Sequence, residues 1–190
     1  KIQKIDDLEE KYMKKILFAA SECVPFIKTG GLADVVGSLP KSFDKEEYDV
    51  RVIIPKYMCI DQKWKDQMTY IDHFYMDLCW RKQYVGIMEL EYEGVKIYFI
   101  DNEYYFGGEK PYSDARYDLE KFAFFSRAVL SALPVIDFRP DVIHCHDWHT
   151  GLIPVYLKDS FASSTNSRTT GSNTNKTRLK IRIKFPTSDK

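Results

Sequence analysis

Phe26–Pro40 reads FIKTGGLADVVGSLP, a lysine, a threonine and two adjacent glycines running straight into a helical pattern. Within and just beyond it, Leu32, Val35, Val36, Leu39 and Phe43 recur at the spacing of one helix face. Pro40 is expected to bend or end that helix. Upstream, KILFAA (Lys15–Ala20) is a short apolar run of the kind that forms a buried strand, and downstream YDVRVIIP (Tyr48–Pro55) is a second. Strand, glycine turn, helix and strand make a βαβ unit, which implies parallel strands and a right-handed crossover.

The alternation continues for most of the chain. MTYIDHFYM, KQYVGIMELEYEG and VKIYFI, between Met68 and Ile100, are rich in Tyr, Val and Ile and read as strands, with Gly94 at a hairpin turn. DNEYYFGGEKPYSD (Asp101–Asp114) reads as a loop. ARYDLEKFAFFSRAVLSALPVID reads as a long helix with Leu119, Phe122, Phe125, Val129 and Leu133 inward. PDVIHCHDW reads as a buried strand ending in polar groups, and TGLIPVYLKD opens another helix. The expected class is α/β, a Rossmann-like, doubly wound, mainly parallel sheet.

Composition narrows the function. The 190 residues carry 28 basic and 28 acidic side chains, so the net charge is zero and no basic field exists for general binding to nucleic acid or anionic membrane. No apolar run approaches the ~20 residues of a membrane span. Cys23, Cys59, Cys79 and Cys145 are scattered without a C-x-x-C pair, as expected of reduced thiols in a cytoplasmic protein. Residues 1–12 read as a charged extension and residues 13–159 as the domain. Residues 160–190 read as an atypical tail, disordered by its polar stretch ASSTNSRTTGSNTNKTR. A truncated or shifted reading frame and a flexible tail are both compatible with that stretch.

Ligands in doubly wound sheets bind beyond the carboxyl ends of the strands, where two segments stand. SECVPFIKTGG is neither a Walker nor a G-x-G-x-x-G loop. Free N–H groups at a helix start attract anions all the same, and glycines let a phosphate approach. Lys28, Gly30 and Gly31 therefore read either as a diphosphate or sugar site or as a tight turn beside a surface lysine. The second segment, HCHDWHTG, holds His144, His146 and His149 beside Asp147. It admits a metal site, although its register breaks the H-x-H-x-D-H pattern of metallohydrolases. It equally admits a sugar site with Asp147 as acceptor and Trp148 as a flat apolar face, or plain strand-end hydrogen bonding.

KILFAASECVPFIKTGGLADVVGSLPKSF, followed in order by DVRVIIPKY, NEYYFG, FAFFSRAVL and RPDVIHCHDWHTGLIPVYLK, resembles the amino-terminal half of bacterial glycogen synthases and plant starch synthases. The resemblance implies one half of a two-domain GT-B glycosyltransferase. The activity it implies is transfer of glucose from ADP-glucose to the non-reducing end of an α-1,4-glucan, with retention. By that resemblance Lys28 contacts the diphosphate, and Gly30 and Gly31 lie against donor phosphate or sugar. Glu22 and Asp34 match positions near the cleft. Asp147 and Trp148 match the sugar-contacting pair, with His149 beside them and Tyr112 as an acceptor contact. Asp147 and His149 are the candidate catalytic residues. The implied partners are the nucleotide sugar and the glucan; neither metal nor cofactor is expected. The family's second domain supplies much of the nucleotide pocket, so the 190-residue chain by itself is expected to be inactive. The alternatives are a non-catalytic glucan-binding half-domain and a UDP-glucose-using transferase of the same fold.

Overall fold

The computed structural model of the chain describes residues 12–164 and 180–184. Strands β1 (Lys14–Ala19), β2 (Tyr48–Pro55), β3 (Thr69–Leu78), β4 (Arg81–Tyr92), β5 (Val95–Asp101), β6 (Val142–His146) and β7 (Lys180–Lys184) form one sheet in the order β3-β4-β5-β2-β1-β6-β7. Helices α1 (Gly31–Ser38), α2 (Gln62–Lys65), α3 (Glu103–Phe106), α4 (Ala115–Ala132) and α5 (Ile153–Ser164) connect them. The pairings β5·β2, β2·β1, β1·β6 and β6·β7 are parallel, and the β3·β4 and β4·β5 hairpins are antiparallel. The expected Rossmann-like architecture is therefore observed.

The parallel strands are apolar because both faces are covered. Leu17, Phe18, Ala19, Ile53, Ile54, Phe99, Ile100 and Ile143 are fully buried. Gly94 turns the β4–β5 hairpin with Glu93 at φ 50° and Gly94 at φ 75°, the paired positive values of a primed two-residue turn. Cys23 and Cys145 are buried free thiols, and burial pushes both up to about 12. Among the described residues no helix is long and apolar enough to cross a membrane.

As expected of Pro40, helix α1 ends at Ser38, and the proline sits in the 3-10 turn Leu39–Ser42 that follows. Several other expectations are corrected. Of the predicted inward face of α1 Val36 is buried, whereas Val35 is exposed and Leu32 only half-buried. Helix α4 stops at Ala132, ahead of Pro134. Leu119 is 63% exposed, while Asp118 and Lys121 on the same helix are buried. The segment after Asp101 is not wholly loop, because Asn102 caps the short α3 by accepting from the Tyr105 amide. The tail also departs from its reading: α5 runs to Ser164, and Lys180–Lys184 pairs with β6. The rest of the tail, and the amino-terminal extension up to residue 11, lie outside the described residues. Tyr12 is tied to the domain, its hydroxyl donating to Asp141 at 2.8 Å.

Topology places the site. From β1 the chain moves to β2 on one side and later returns to β6 on the other, so the strand order reverses at the β1/β6 boundary. Ala19 lies level with Cys145 there, and the loops leaving both strands diverge over a crevice. Such a switch point is where doubly wound sheets bind ligands.

Candidate functional site

A cavity of about 1040 Å³ opens at that switch point. Its walls come from the β1–α1 loop, the loop before α4 with the first turns of α4, and the turn after β6. Glu22, Gly30, Gly31, Tyr112, Asp147, Trp148 and His149 all line it, so seven of the nine sequence candidates converge. Lys28 and Asp34 do not line it. They pair with each other at 2.8 Å, both more than half exposed. An exposed pair of this kind contributes at most about 1 kcal/mol, so little holds the Lys28 ammonium away from an incoming anion.

Glu22 organises the first wall. Its buried carboxylate accepts from the amides of Thr29 and Gly30, from the Thr29 hydroxyl at 2.7 Å and from the Tyr112 hydroxyl at 2.5 Å. These bonds fix the loop so that α1 starts at the cavity. No side chain caps that helix start, where Gly30 is the N-cap, and its first amides remain donors for a ligand. Neither glycine is demanded by the fold. Gly30 is extended (φ −151°), and a Cβ at Gly30 or Gly31 would meet nothing within 4 Å. The tight-turn explanation therefore fails, and open space remains against the backbone.

The second wall is the 3-10 turn Trp148–Thr150. Asp147 enters it at φ 62° and ψ 178°, a region that side chains other than hydrogen rarely adopt. Its carboxylate accepts from the Trp148 amide at 2.6 Å. The Thr150 hydroxyl donates to the His146 carbonyl at 2.9 Å, and the Ser126 hydroxyl of α4 donates to the His149 carbonyl at 3.3 Å. A strained residue pinned from both sides, with its carboxylate at a cavity, is the pattern of a functional position. Trp148 is 44% exposed, leaving part of its ring for a ligand.

His149 is buried, its ring stacked on Tyr112 at 5.0 Å and edge-on to Phe122 at 4.5 Å. Burial pushes its imidazole down to about 4, against the pull of Asp147, Glu22 and Asp118. The ring is thus neutral at pH 7, and the 3.9 Å approach of its Nδ1 to Asp147 is not an ion pair there. Burial and the bond to Glu22 together push the Tyr112 phenol well above its ordinary range, so it remains a donor. Because folded His149 binds fewer protons than unfolded His149 between pH ~4 and ~6.5, its contribution is complete above pH ~6.5 and lost on acidification toward pH 4. The urea midpoint should therefore fall more between pH 7 and 4.5 in the wild type than in His149→Gln.

His144 and His146 lie on one side of β6, as strand alternation requires, but they pack on Phe18 with ring centroids 4.8 and 5.4 Å away. Among the described residues no group of three or more His, Cys, Asp and Glu side chains is arranged to hold a metal.

One functional cluster escaped the sequence reading. Asp118 reaches the cavity from α4 and pairs with buried Lys121 at 2.6 Å. Asp118 also accepts from the Ser113 amide at 2.9 Å, and Lys121 donates to the Pro111 carbonyl at 2.6 Å. This pair clamps both sides of Tyr112 and so delivers its hydroxyl to Glu22. Burial would raise the Asp118 carboxyl, but Lys121 and Ser113 outweigh it and hold the group below its ordinary range.

The geometry agrees with what the chain resembles. The profile of the starch synthase catalytic domain matches residues 15–173. The glycogen synthase of Lachnospira eligens is 68% identical over 150 residues, covering 79% of this chain and 31% of that protein. The glycogen synthase of Lachnoclostridium phytofermentans is 66% identical over 149 residues, covering 78% and 31%. Among solved structures, the catalytic domain of starch synthase IV from Arabidopsis thaliana bound to ADP and acarbose matches with a TM-score of 0.66 and 28% identity, over 91% of this chain and 33% of that one. The chain thus spans about a third of the length of its relatives. Profile, relatives and fold agree that this chain belongs to the starch synthase catalytic domain family.

Proposed function

We propose that this chain forms the amino-terminal wall of a retaining glucosyltransferase that moves glucose from ADP-glucose to the non-reducing end of an α-1,4-glucan. The observation that carries the reading is the uncapped, glycine-lined start of α1 sharing one cavity with the strained carboxylate of Asp147. Breaking the bond between C1 of glucose and the diphosphate sends the electron pair to the phosphate oxygen and leaves positive character on the sugar. The α1 amides and the nearby Lys28 ammonium suit the negative side of that separation. The Asp147 carboxylate suits the positive side and the sugar hydroxyls, and Trp148 offers a flat face to a pyranose. The acceptor oxygen bonds to C1 from the face the diphosphate leaves, its proton passing to the departing phosphate, which gives retention. The donor carries its own leaving group, so no cofactor is required.

The test starts from the polypeptide itself. Purified 190-residue chain incubated with radiolabelled ADP-glucose and glycogen should incorporate little glucose, because it spans about a third of its relatives. Turnover at the rate of a full-length glycogen synthase would contradict this division of the site. The contribution of this wall to donor binding is tested in a chimera whose residues 15–158 come from this chain and the remainder from the Lachnospira eligens protein. Excess unlabelled ADP-glucose, but not UDP-glucose, should suppress its incorporation of label. In the same chimera Gly31→Ala should raise stability by about 0.4–1 kcal/mol, since the added methyl meets no atom and restricts the unfolded chain. The methyl should also weaken ADP-glucose binding about tenfold, read by calorimetry.

A further inference from the structure

Asp118 and Leu119 of α4 line the cavity, and Phe122 follows them by one helical turn. Phe122 does not itself line the cavity, and it is 2% exposed. Its spacing along the helix marks it as ordinary core; its neighbours give it a second role. Three residues of the cavity wall rest on this one ring. Trp148 meets it edge-to-face at 5.3 Å and 82°, His149 edge-to-face at 4.5 Å and 76°, and Tyr112 tilted at 5.9 Å and 50°. The ring is itself held, because the buried Lys121 ammonium lies over it, 5.3 Å from its centroid.

These contacts fix what the backbone leaves free. Trp148 opens a single 3-10 turn, Trp148–Thr150, and α4 packs against that turn. His149 lies against the Trp148 ring at 4.2 Å and 31°, and Phe122 meets both. The Trp148 amide donates to the Asp147 carboxylate at 2.6 Å. A line of contacts therefore runs from Phe122 through Trp148 to the carboxylate at the cavity. Ring pairs prefer particular angles because the quadrupole of one ring orients the other. An aliphatic side chain would fill much of the same space and supply no such orientation.

We infer that Phe122 is a positioning residue of the site: it sets the plane of the Trp148 face offered to a pyranose and, through the Trp148 turn, the direction of the Asp147 carboxylate. The inference rests on the glucosyltransferase reading for its effect on turnover, but not for its effect on Trp148. Small displacements of a positioned group cost rate steeply, so the loss falls on kcat as well as on stability.

Phe125 supplies the comparison. It is fully buried on the same helix, and its ring meets Phe106, which lies outside the cavity wall. Phe122→Leu and Phe125→Leu each remove one buried ring from α4, so both should lower the urea midpoint. In the chimera Phe122→Leu should lower kcat about tenfold, and Phe125→Leu should leave it unchanged. The chain has tryptophan at 64, 80 and 148, so in a Trp64→Phe/Trp80→Phe background of the 190-residue chain the near-ultraviolet tryptophan dichroism reports Trp148 alone. That band should fall by about half in Phe122→Leu, where the ring loses its orienting partner, and persist in Phe125→Leu. Phe122→Met, whose unbranched chain adapts to the space, should repeat both losses if leucine prevents folding. Equal kcat losses in the two leucine variants, or an unchanged Trp148 band in a folded Phe122 variant, would overturn the inference and leave Phe122 as core packing. A chimera that keeps Phe122 and transfers no glucose would remove the transferase reading. The Trp148 band then decides the inference by itself, its selective loss in the Phe122 variants upholding it and its persistence overturning it.

Discussion

Lys121→Met is expected to destabilise the domain by about 3–5 kcal/mol, measured as the shift in unfolding free energy in urea. The side chains of Asp118 and Lys121 are 6% and 3% exposed, so removing the ammonium strands a buried carboxylate. It also leaves the Pro111 carbonyl without its donor. The double variant Asp118→Leu/Lys121→Met should recover more than half of the loss, because it removes both desolvated charges together. A single-variant loss below 1 kcal/mol would show that the pair is not holding the Tyr112 loop. The pH dependence has a definite sign. Asp118 is depressed in the folded state, so its contribution is present above the unfolded value near 4 and disappears as pH falls through the lower folded value. The wild type should therefore lose stability below pH 4 more steeply than the double variant.

The second large effect is on catalysis. Asp147→Asn in the chimera is expected to lower kcat about 10²- to 10³-fold, the range found when one preorganised electrostatic partner of a transition state is removed. Asparagine keeps an oxygen for the Trp148 amide, so the change isolates the charge. Asp147→Gly separates the roles further. Glycine relieves the φ 62° strain, worth about 1–3 kcal/mol, against the lost side-chain bond and added chain entropy. Its unfolding free energy should stay level or rise slightly while transfer falls as far as in Asp147→Asn. A glycine variant that is both active and destabilised would mean that Asp147 serves the fold and not the reaction.

Much of this was legible before the structure. Apolar runs such as KILFAA and YDVRVIIP have one stable home, strands covered on both faces, and the parallel order follows from it. The two loops of the cavity were found because polar residues stand where those strands end. What was hidden depended on contacts distant in sequence. Periodicity assigns Leu119 to the core and Asp118 and Lys121 to water; the observed reversal requires a partner loop, 111–113, that accepts and donates the bonds of the buried pair. Val35 and Leu32 fit a helical stripe, yet they line the cavity because α1 offers that side to the cleft. Lys28 is read from the sequence as facing a diphosphate, while its pairing with Asp34 has no mark in the sequence. The left-handed backbone of Asp147 has no sequence mark at all, since aspartate is common in every kind of turn.

The most direct test is the turnover of the chimera carrying residues 15–158 of this chain, assayed with ADP-glucose and glycogen beside its Lachnospira eligens parent. If these residues form a working wall of the transfer site, its kcat should lie within about tenfold of the parent's, and Asp147→Asn should remove it. A chimera that folds with the parent's urea midpoint yet transfers no glucose, or one that keeps full activity after Asp147→Asn, would contradict the account.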